Sequence, residues 1–557
     1  MSTTQISSEE PSEKVTRPFA TSNDLSAQIT VSSLSSVSQN SVPKHAISHD
    51  EATLVQGSVN TSGPRIILTE RDCPEALATA WPRWKKWITL ICTFLVQISM
   101  NLNASLYANG QSGISEEFGV SHMASVSGTS IFLIAYAFGC ELWAPWSEEF
   151  GRKPVLQLSL LLVNLMCIPV ALAGHSGRFR DILIGRALGG LFSAGGSVTL
   201  GVVSDMYHLR HQEYPLSFIV LSSVGGSIIG PIIGGYIETY LDWTWCIWVQ
   251  LIVGVFVQLI HWFLVPESRS SILLDFHAEK LRHDKEKETG EKLNVFGPSE
   301  AKKFKDVLVP KDLWNLWTRP FRMFATERIV LVLSLLSGFS DALIFMQIQS
   351  LGLVFEIWHF DTIQKGLSFI SIGVGYLIAY ILFIPFISRN RALRAMNPYS
   401  EYAQYESRLW SLLFTAPLLP VGLFIFAWTS TPGSHWIGPM FACVLIGIAN
   451  FSIYMNSIDY TVAAYGPYSA SATGGNGFAR DFLAGILTLA AAPYYHAFSG
   501  PYGLRIANTV LGCISLVLVA ATFYVYFNGS SLRKKSPFAQ SLAQGITDVD
   551  AERPATI

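Results

Sequence analysis

Trp245 to Val265 read WCIWVQLIVGVFVQLIHWFLV, an unbroken apolar run whose one ionisable side chain is a histidine. At about 1.5 Å per helical residue, about 20 such residues cross the ~30 Å hydrocarbon core of a bilayer. Lipid offers the backbone no hydrogen-bond partner, and the run lacks the alternating pattern of a membrane barrel. It therefore predicts a transmembrane α-helix.

Eleven similar runs occur elsewhere, and a long polar interval separates the first six from the second six. The chain is 50% hydrophobic and 14% charged, whereas about a quarter of a soluble chain is charged. We expect an all-α membrane protein with twelve transmembrane helices in two six-helix bundles. The predicted spans are Ile88 to Tyr107, Val126 to Trp143, Val155 to Ala173, Ile182 to Val203, Leu216 to Tyr236, Trp245 to Val265, Ile329 to Ile348, Gly366 to Ile387, Leu412 to Trp428, Ile437 to Tyr460, Ala472 to Tyr494 and Ile506 to Tyr526.

Basic residues near the span ends concentrate on one side, which places both termini and the central loop in the cytoplasm by the positive-inside rule. The charged run from His277 to Lys292 predicts a solvated helix along the inner face, with a lid or regulatory contact as the alternative. The predicted organisation is a disordered Ser- and Thr-rich tail (1–80), a first bundle (81–265), a central loop (266–326), a second bundle (327–528) and a second tail (529–557).

The loop between the second and third spans reads APWSEEFGRKP from Ala144 to Pro154. The chain reverses here within a few residues, which favours a flexible glycine and a proline that can open the next helix. We expect Glu148 and Arg152 to pair or to engage a neighbouring helix end; plain anchoring by basic side chains is the alternative. The candidate gating residues are Ser147, Glu148, Gly151, Arg152 and Lys153.

The fifth span carries glycines at intervals of four, a pattern that places a small-residue groove on one helical face. Pro231 is expected to bend this span. The motif suits either a rocking helix interface or simply a close packing groove. Its residues are Gly226, Gly230, Pro231, Gly234 and Gly235.

Asp341 is the foremost candidate for proton coupling. It lies about twelve residues into the seventh span, roughly 18 Å deep, where a charge costs ~2.5 to 3.5 kcal/mol. Ser334, Ser337 and Asp341 recur at helical spacing and predict a polar stripe that faces the bundle interior. We expect Asp341 to carry a proton or to bind a cationic substrate group; a structural, hydrogen-bonded aspartate is the alternative.

Other ionisable residues also lie within the predicted spans. Arg186 and Glu141 are further candidates for proton coupling, although Arg186 is close enough to the outer end of its span to snorkel. Asp459 is predicted to pair with Arg480 across the hairpin between the tenth and eleventh spans.

A neutral polar stripe runs along the first span, and it could hydrogen-bond a ligand or bridge to another helix. With few buried acids and many aromatics, the inferred cavity suits lipophilic or weakly polar molecules. The candidate cavity residues are Gln97, Asn101, Ser105, Ser337, Asp341, Asn476 and Arg480.

These motifs together resemble the major facilitator superfamily, and specifically its fungal branch of twelve-span drug:proton antiporters. The inner loop is similar to the signature between spans two and three, Gly185 to Gly190 (GRALGG) resembles the fourth-span Arg motif, and Gly226 to Gly235 resembles the fifth-span antiporter motif. Further similarities to the fungal branch are Pro266 to Arg269 (PESR), Glu406 to Leu409 (ESRL) and the segment from Tyr468 to Arg480.

The resemblance covers roughly residues 80 to 540 and implies the major facilitator fold, in which pseudo-twofold symmetry relates the two bundles. It also implies alternating access around a midplane site. A coupling role for Arg186 and export in exchange for protons follow from the same resemblance.

The sequence contains no catalytic constellation, no metal-ligand spacing and no phosphate-binding loop, so we expect neither an enzyme, a cofactor nor a metal. The expected partners are a small-molecule substrate, protons and the lipid bilayer; we expect a monomer and no nucleic-acid binding. We predict a proton-coupled exporter of drugs, toxins or secondary metabolites in the plasma membrane, with the vacuolar membrane as the alternative. An uptake symporter or facilitator and a non-transporting membrane sensor remain the competing hypotheses.

Overall fold

The computed structural model describes residues 66–208, 211–289, 293–300, 310–398, 400–498, 500 and 502–539, with backbone alone for 310–316, 467 and 470. Most of these residues are helical. The predicted tails and the central loop extend into residues 1–65, 290–292, 301–309 and 540–557, which lie outside the described part of the chain.

The first half begins with a strand and two 3₁₀ turns, β1 (Ile66–Ile67), Pro74–Ala76 and Ala78–Ala80. Two further 3₁₀ turns, Tyr107–Gly110 and Ala194–Ser197, interrupt the first and fourth spans. The helices are α1 (Arg83–Leu106), α2 (Gln111–Phe118), α3 (His122–Phe150), α4 (Arg152–Ala171), α5 (Ala173–Ser176), α6 (Phe179–Ser193), α7 (Val198–Met206), α8 (Glu213–Tyr240) and α9 (Thr244–Leu264).

The central loop contains α10 (Ser270–Thr289), β2 (Val295–Phe296) and α11 (Pro310–Thr326). The second half has 3₁₀ turns at Glu356–Trp358, Glu406–Leu409 and Gly466–Tyr468. Its helices are α12 (Arg328–Phe355), α13 (Thr362–Ser368), α14 (Ile370–Met396), α15 (Glu401–Gln404), α16 (Leu412–Thr415), α17 (Leu418–Thr429), α18 (Ile437–Tyr465), α19 (Ser469–Ala497) and α20 (Gly503–Lys534).

Among the described residues, 11 helical segments are long and apolar enough to cross a membrane. A twelfth helix, α19, has 29 residues and carries Arg480 and Asp481. Large apolar side chains such as Phe256, Phe263 and Phe527 remain well exposed on the outer surface of the bundle, where lipid would cover them. These features agree with an all-α membrane fold of twelve spans.

Helix packing follows the same rule in both halves. In the first half, the pairs in contact include α1 with α8, α3 with α6 and α4 with α9, which are spans 1 and 5, 2 and 4, and 3 and 6. In the second half, α12 contacts α19, α14 contacts α18 and α17 contacts α20, which are spans 7 and 11, 8 and 10, and 9 and 12. Adding six to each span number converts one set into the other, as expected of two bundles related by a pseudo-twofold axis.

The two halves meet along two seams. One seam joins α3 to α19, and the other joins α8 to α13 and α14. The first seam joins spans 2 and 11, and the second joins spans 5 and 8. Since spans 2 and 8 correspond, as do spans 5 and 11, the pseudo-twofold relation exchanges the two seams. We call the end of the bundle where α1 begins and α20 ends the basic face, because Arg152, Arg391 and Arg533 lie there, and the other end the opposite face.

The segment before the first span, residues 66–80, is folded in this structure. β1 pairs with β2 as parallel strands, and Leu68, Cys73 and Leu77 pack against Leu274 and Ala278 of α10. The prediction of disorder from 1 to 80 is therefore wrong for 66–80. Likewise, α20 continues six residues beyond the predicted end of the bundle at 528, as far as Lys534.

The central loop lies against the bundle at the basic face. α10 forms the helix predicted for the charged run, as far as Thr289. α11 packs on α3, α12 and α19, with the ring centroid of Phe321 4.8 Å from that of Phe478. The loop thus contacts both halves of the protein.

Candidate functional site

The centre of the protein holds a buried cluster of two carboxylates and one guanidinium. Arg480 Nε lies 3.8 Å from Asp341 Oδ2, and Arg480 Nη2 lies 3.3 Å from Asp481 Oδ1. The guanidinium carbon is 4.5 Å from the centre of the Tyr454 ring. Asp341 comes from α12, Tyr454 from α18 and the other two from α19, so three spans of the second half build this cluster.

The charges in this cluster do not balance when all three groups are ionised, because two acids face one base. Arg480 and Asp481 are 6% and 4% exposed, and the Asp341 side chain is 15% exposed. A buried net charge is costly, so binding of one proton or one cationic group would restore neutrality. The arrangement can therefore exchange a proton or a cation if the site becomes accessible to water.

A chain of hydrogen bonds joins this cluster to the first half. Arg480 Nη1 donates to Ser223 Oγ of α8 at 3.4 Å, and Gln97 Nε2 of α1 donates to the same oxygen at 3.2 Å. Thr199 Oγ1 donates to Gln97 Oε1 at 3.1 Å. Of the residues predicted to line a cavity, the structure thus brings Gln97, Asp341 and Arg480 together.

The other two residues of the first-span stripe hydrogen-bond to backbone carbonyls, Ser105 across to α8 and Asn101 within α1. Ser105 Oγ donates to the Gly226 carbonyl of α8 at 3.1 Å, and Asn101 Nδ2 donates to the Gln97 carbonyl one turn earlier at 3.0 Å. Packing between α1 and α8 therefore occupies Ser105, which is the alternative use considered for this stripe.

Several candidate polar groups are buried without a hydrogen-bond partner in the described residues. These groups are Ser337 Oγ, both amide atoms of Asn476 and Glu141 Oε1. Glu141 of α3 lies at the seam with α19, where both of its carboxylate oxygens would be 2.8 Å from a Cβ added at Gly474. Unpaired polar groups in an interior usually bind water or a ligand, so this seam contains unused hydrogen-bonding capacity.

Arg186 occupies a separate site in the first half. Its Nη1 donates to the carbonyl and to Oδ1 of Asn103, at 2.9 and 2.8 Å, and its guanidinium lies 4.4 and 4.1 Å from the ring centres of Tyr107 and Phe132. The residue is 2% exposed, so the snorkelling alternative is wrong. No carboxylate of the described residues lies within ion-pair distance of it.

The residues of the fifth-span motif pack on two different faces of α8. Added Cβ atoms at Gly226, Gly230 and Gly234 would clash with Asn101, Ser105 and Asn109, so these glycines permit the close approach of α1. On the other face, a Cβ at Gly235 would lie 3.1 Å from the Thr362 carbonyl, and one at Gly366 would lie 2.7 Å from the Pro231 carbonyl. The motif therefore packs α8 within its own half and also forms part of the seam to α13.

The loop between α3 and α4 forms a clamp at the basic face. Arg152 Nε donates to Asp205 Oδ2 of α7 at 2.8 Å, and its Nη1 donates to Ser147 Oγ at 2.6 Å. The expected pair with Glu148 is therefore replaced by a pair with Asp205. Glu148 instead accepts from Arg269 Nε through its backbone oxygen, at 3.1 Å.

Glu267, in the segment after α9, completes this clamp by capping α4. Its carboxylate accepts from the backbone N–H groups of Arg152 and Lys153, at 2.9 and 3.0 Å. An anionic group at a helix N-terminus is stabilised by these free N–H donors and by the helix dipole. Gly151 has φ +98, and a Cβ there would lie 2.6 Å from Glu267 Oε2, so this position requires glycine. Lys153 Nζ also donates to the Trp262 carbonyl at 3.0 Å.

A second clamp at the basic face joins the two halves. Glu213, the first residue of α8, accepts from Arg391 Nε at 3.1 Å, Arg394 Nη2 at 2.5 Å and Arg408 Nη1 at 3.2 Å. Arg408 also donates to Asp459 Oδ1 at 2.5 Å. Asp459 thus pairs with Arg408, and the predicted pair of Asp459 with Arg480 is wrong.

The halves also touch at the opposite face. Gln349 Nε2 near the end of α12 donates to Gln111 Oε1 of α2 at 3.2 Å, and the contacts of Pro231 and Gly235 with α13 lie toward the same end. The two halves are therefore in contact at both ends of the bundle, through Glu213 at the basic face and through Gln111 and Gln349 at the opposite face.

The sequence patterns did not predict four residues of the candidate site, Glu213, Ser223, Tyr454 and Asp481. Asp481 could have been predicted, because it is an acidic residue within a span and directly follows Arg480. Glu213 lies at a helix end, where a charge is ordinary, so only the three arginines around it reveal its role.

Two helical bundles with a buried ionic cluster at their junction and contacts between the halves at both ends are typical of a membrane carrier. Comparison with known proteins agrees: the Major Facilitator Superfamily description matches residues 89–489, and the chain belongs to this family of transporters. It is 30% identical over 477 residues to the MFS-type transporter paaT of Penicillium rubens, covering 82% of this chain and 81% of that protein. Identity to the MFS-type transporter kojT of Aspergillus oryzae is 28% over 468 residues, covering 82% and 79%.

Solved structures show the same fold. The human organic anion transporter MFSD10 superposes with a TM-score of 0.51 at 18% identity, covering 79% of this chain and 100% of that one. The xylose transporter XylE of E. coli gives a TM-score of 0.52 at 14% identity, covering 79% and 97%. At these identities the likeness concerns the fold alone.

Proposed function

We propose that this transporter exports small, lipophilic organic compounds in exchange for protons, by alternating access around the Asp341–Arg480–Asp481 cluster. The observation that carries the proposal is the excess of one buried acid at the junction of the halves. Protonation of that acid would neutralise the cluster, and its deprotonation would leave a carboxylate that can accept a hydrogen bond from a polar group of the substrate. Proton release and substrate binding can therefore compete for one site, which is the requirement for antiport.

The basic face is assigned to the cytoplasm, on the positive-inside rule. In this orientation, opening of the Glu213 clamp admits substrate from the cytoplasm, and separation of Gln111 from Gln349 releases it outside. The fifth-span glycine motif supports export, because it resembles the antiporter motif and contributes to both the α1 contact and the seam. The plasma membrane is the proposed location.

The substrate class follows from the surroundings of the cluster. Besides these three ionisable groups and Glu141, the neighbouring residues Ser337 and Asn476 offer neutral polar groups that have no hydrogen-bond partner among the described residues. The centre of the aromatic ring of Tyr454 lies 4.5 Å from the guanidinium carbon of Arg480. Aromatic surface with a few hydrogen-bonding groups suits weakly polar organic molecules better than highly charged ones.

The test is transport into proteoliposomes that hold an imposed pH difference, using a panel of neutral aromatic compounds. Neutral probes are chosen because weak bases accumulate passively in acidic vesicles, and protein-free vesicles measure any remaining leak. Antiport predicts accumulation in vesicles with an acidic interior, and symport predicts accumulation when the interior is alkaline. A facilitator would equilibrate the probe under either gradient.

Asp341→Asn should abolish the effect of the pH difference while leaving exchange of labelled for unlabelled probe. The matched control is Glu356→Gln at the opposite face, because the Glu356 side chain is 63% exposed. If Asp341→Asn kept gradient-driven accumulation, Asp341 would have no part in proton coupling. Binding of probes without movement under any gradient would instead favour the sensor hypothesis.

A further inference from the structure

The segment before the first span and the central loop form a small folded module at the basic face. Besides the β1–β2 pair and the apolar contacts with α10, Arg282 Nη1 donates to the Val295 carbonyl at 2.7 Å and forms an ion pair with Glu300 at 2.7 Å. Asp275 Oδ1 accepts from the Ser299 backbone N–H at 3.0 Å. These contacts hold two segments together that are far apart in sequence.

Three side chains with metal-binding donors converge where these segments meet. Cys73 and Glu75 come from the turn before the first span, and His277 comes from α10; one donor atom from each lies within 4.8 Å of the other two. Cys73 is 7% exposed, while Glu75 is exposed and His277 is half-buried, so solvent reaches one side of the cluster. None of the three side chains makes a hydrogen bond or an ion pair with another described residue.

The donor set matches the preference of one metal ion in particular. Thiolate, imidazole and carboxylate together suit Zn²⁺, which forms bonds of about 2.0 to 2.3 Å with these donors in tetrahedral geometry. Tetrahedral ligand atoms are then roughly 3.5 Å apart, which small side-chain rotations would achieve here. Burial, followed by the negative charges of Glu75 and Asp72, raises the pKa of the Cys73 thiol. The same negative surroundings favour a cation.

We propose that Cys73, Glu75 and His277 bind one Zn²⁺ ion, with water as the fourth ligand, and that this ion staples the segment before the first span to α10. Binding displaces the proton of the Cys73 thiol, and no electron transfer is involved. The whole first bundle lies between Glu75 and His277 in the sequence. The sequence spacing of possible ligands therefore could not predict a metal site. The ion would couple the start of the first span to the loop that joins the halves.

The test uses the full-length protein, purified without a polyhistidine tag and loaded with Zn²⁺ before gel filtration. We expect about one zinc per chain by elemental analysis. Cys73→Ser and His277→Ala should each lower this stoichiometry severalfold. The matched controls are Cys513→Ser, which removes an exposed cysteine, and His283→Ala, an exposed histidine farther along α10; neither should change it.

Two further measurements separate coordination at this site from loose binding elsewhere. Co²⁺ in place of Zn²⁺ should give thiolate charge-transfer and tetrahedral ligand-field absorption that Cys73→Ser abolishes. Trypsin should cleave after the exposed Arg71 severalfold faster when a chelator removes the metal, and this difference should vanish in His277→Ala. A chain without stoichiometric zinc, or zinc that persists in both ligand variants, would overturn the proposal.

Discussion

In the central cluster, Arg480 contacts two buried carboxylates, so the free energy of the cluster depends on the protonation of its acids. Removing one partner of a buried ion pair costs about 3 to 5 kcal/mol, because the other charge remains unpaired and desolvated. Replacing one of the two acids with a neutral residue instead removes the negative charge that no base in the cluster balances. Substitutions at the adjacent residues 480 and 481 should therefore differ greatly in their effect on stability.

We expect Arg480→Ala to destabilise the protein by about 3 kcal/mol or more and Asp481→Asn to have a much smaller effect. The double substitution should recover part of the loss, because it removes a carboxylate that Arg480→Ala leaves unpaired. The apparent melting temperature in detergent measures all three variants. Additive effects of the two substitutions would contradict direct pairing of these side chains.

Glu213 is expected to control opening at the basic face. Charged hydrogen bonds contribute about 1.5 to 3 kcal/mol each, so Glu213→Gln should shift the population toward a form open at this face by roughly tenfold or more. Distances between spin labels at the start of α8 and the end of α14 would report the change.

Glu148→Gln is the matched control for that experiment. Glu148 lies at the same face, and its contact with Arg269 is through the backbone oxygen, within the first half. An unchanged distance distribution in Glu213→Gln would show that the three arginines do not hold the halves together.

At the scale of single residues, the sequence predicted those whose charge is energetically costly inside the membrane. Asp341 and Arg480 are recognisable because a charge in the middle of a span requires a reason. Partners were harder to predict: Asp459 pairs with Arg408, which precedes the ninth span, because helix packing brings that loop under α18. Pairing depends on three-dimensional contacts that hydropathy does not contain.

At the scale of elements, α8 is the helix that links packing to movement. Its glycine groove fixes it against α1, whereas the neighbouring face with Pro231 and Gly235 contacts α13 across the seam. The two faces permit different tests, since one governs stability within a half and the other the contact between halves.

Gly230→Ala should destabilise the protein by about 1 to 3 kcal/mol, because the new Cβ would overlap the Ser105 side chain. Gly225→Ala provides the control on the same helix, since nothing lies within 4 Å of a Cβ at that position. It should be neutral or stabilising by up to about 1 kcal/mol, from helix propensity. Thermal unfolding of the two variants compares them, and equal losses would show that the groove is not tightly packed.

Hydropathy predicted the helices well, because a span must be apolar over a fixed length. It could not predict interruptions such as the 3₁₀ turn at Ala194–Ser197, which leave the composition of a span unchanged. The folded segment at 66–80 was missed for another reason. Its stability comes from long-range contacts with α10 and β2, and a short polar segment considered alone gives no sign of them.

At the scale of the whole molecule, the pseudo-twofold axis relates the two seams, so a rocking motion that opens one end closes the other. The resemblance of the sequence to the major facilitator superfamily implied this symmetry. The conformation itself could not be predicted, because the same contacts within each half serve every state of the cycle. Here the clamp at Glu213 and the Gln111–Gln349 contact are formed together, as expected of a state between the two open forms.

A link between positions 111 and 349 should therefore arrest transport with the opposite face closed. Gln111→Cys and Gln349→Cys, joined through disulfide bonds by a short bifunctional methanethiosulfonate reagent, should lose nearly all transport and regain it when a reductant cleaves those disulfides. Cys513→Ser is the appropriate background, because Cys513 is the one exposed native cysteine among the described residues. Each single cysteine variant, treated identically, controls for modification alone. If linked protein still transported at the full rate, the halves would not separate at this face, and alternating access about the central cluster would be excluded.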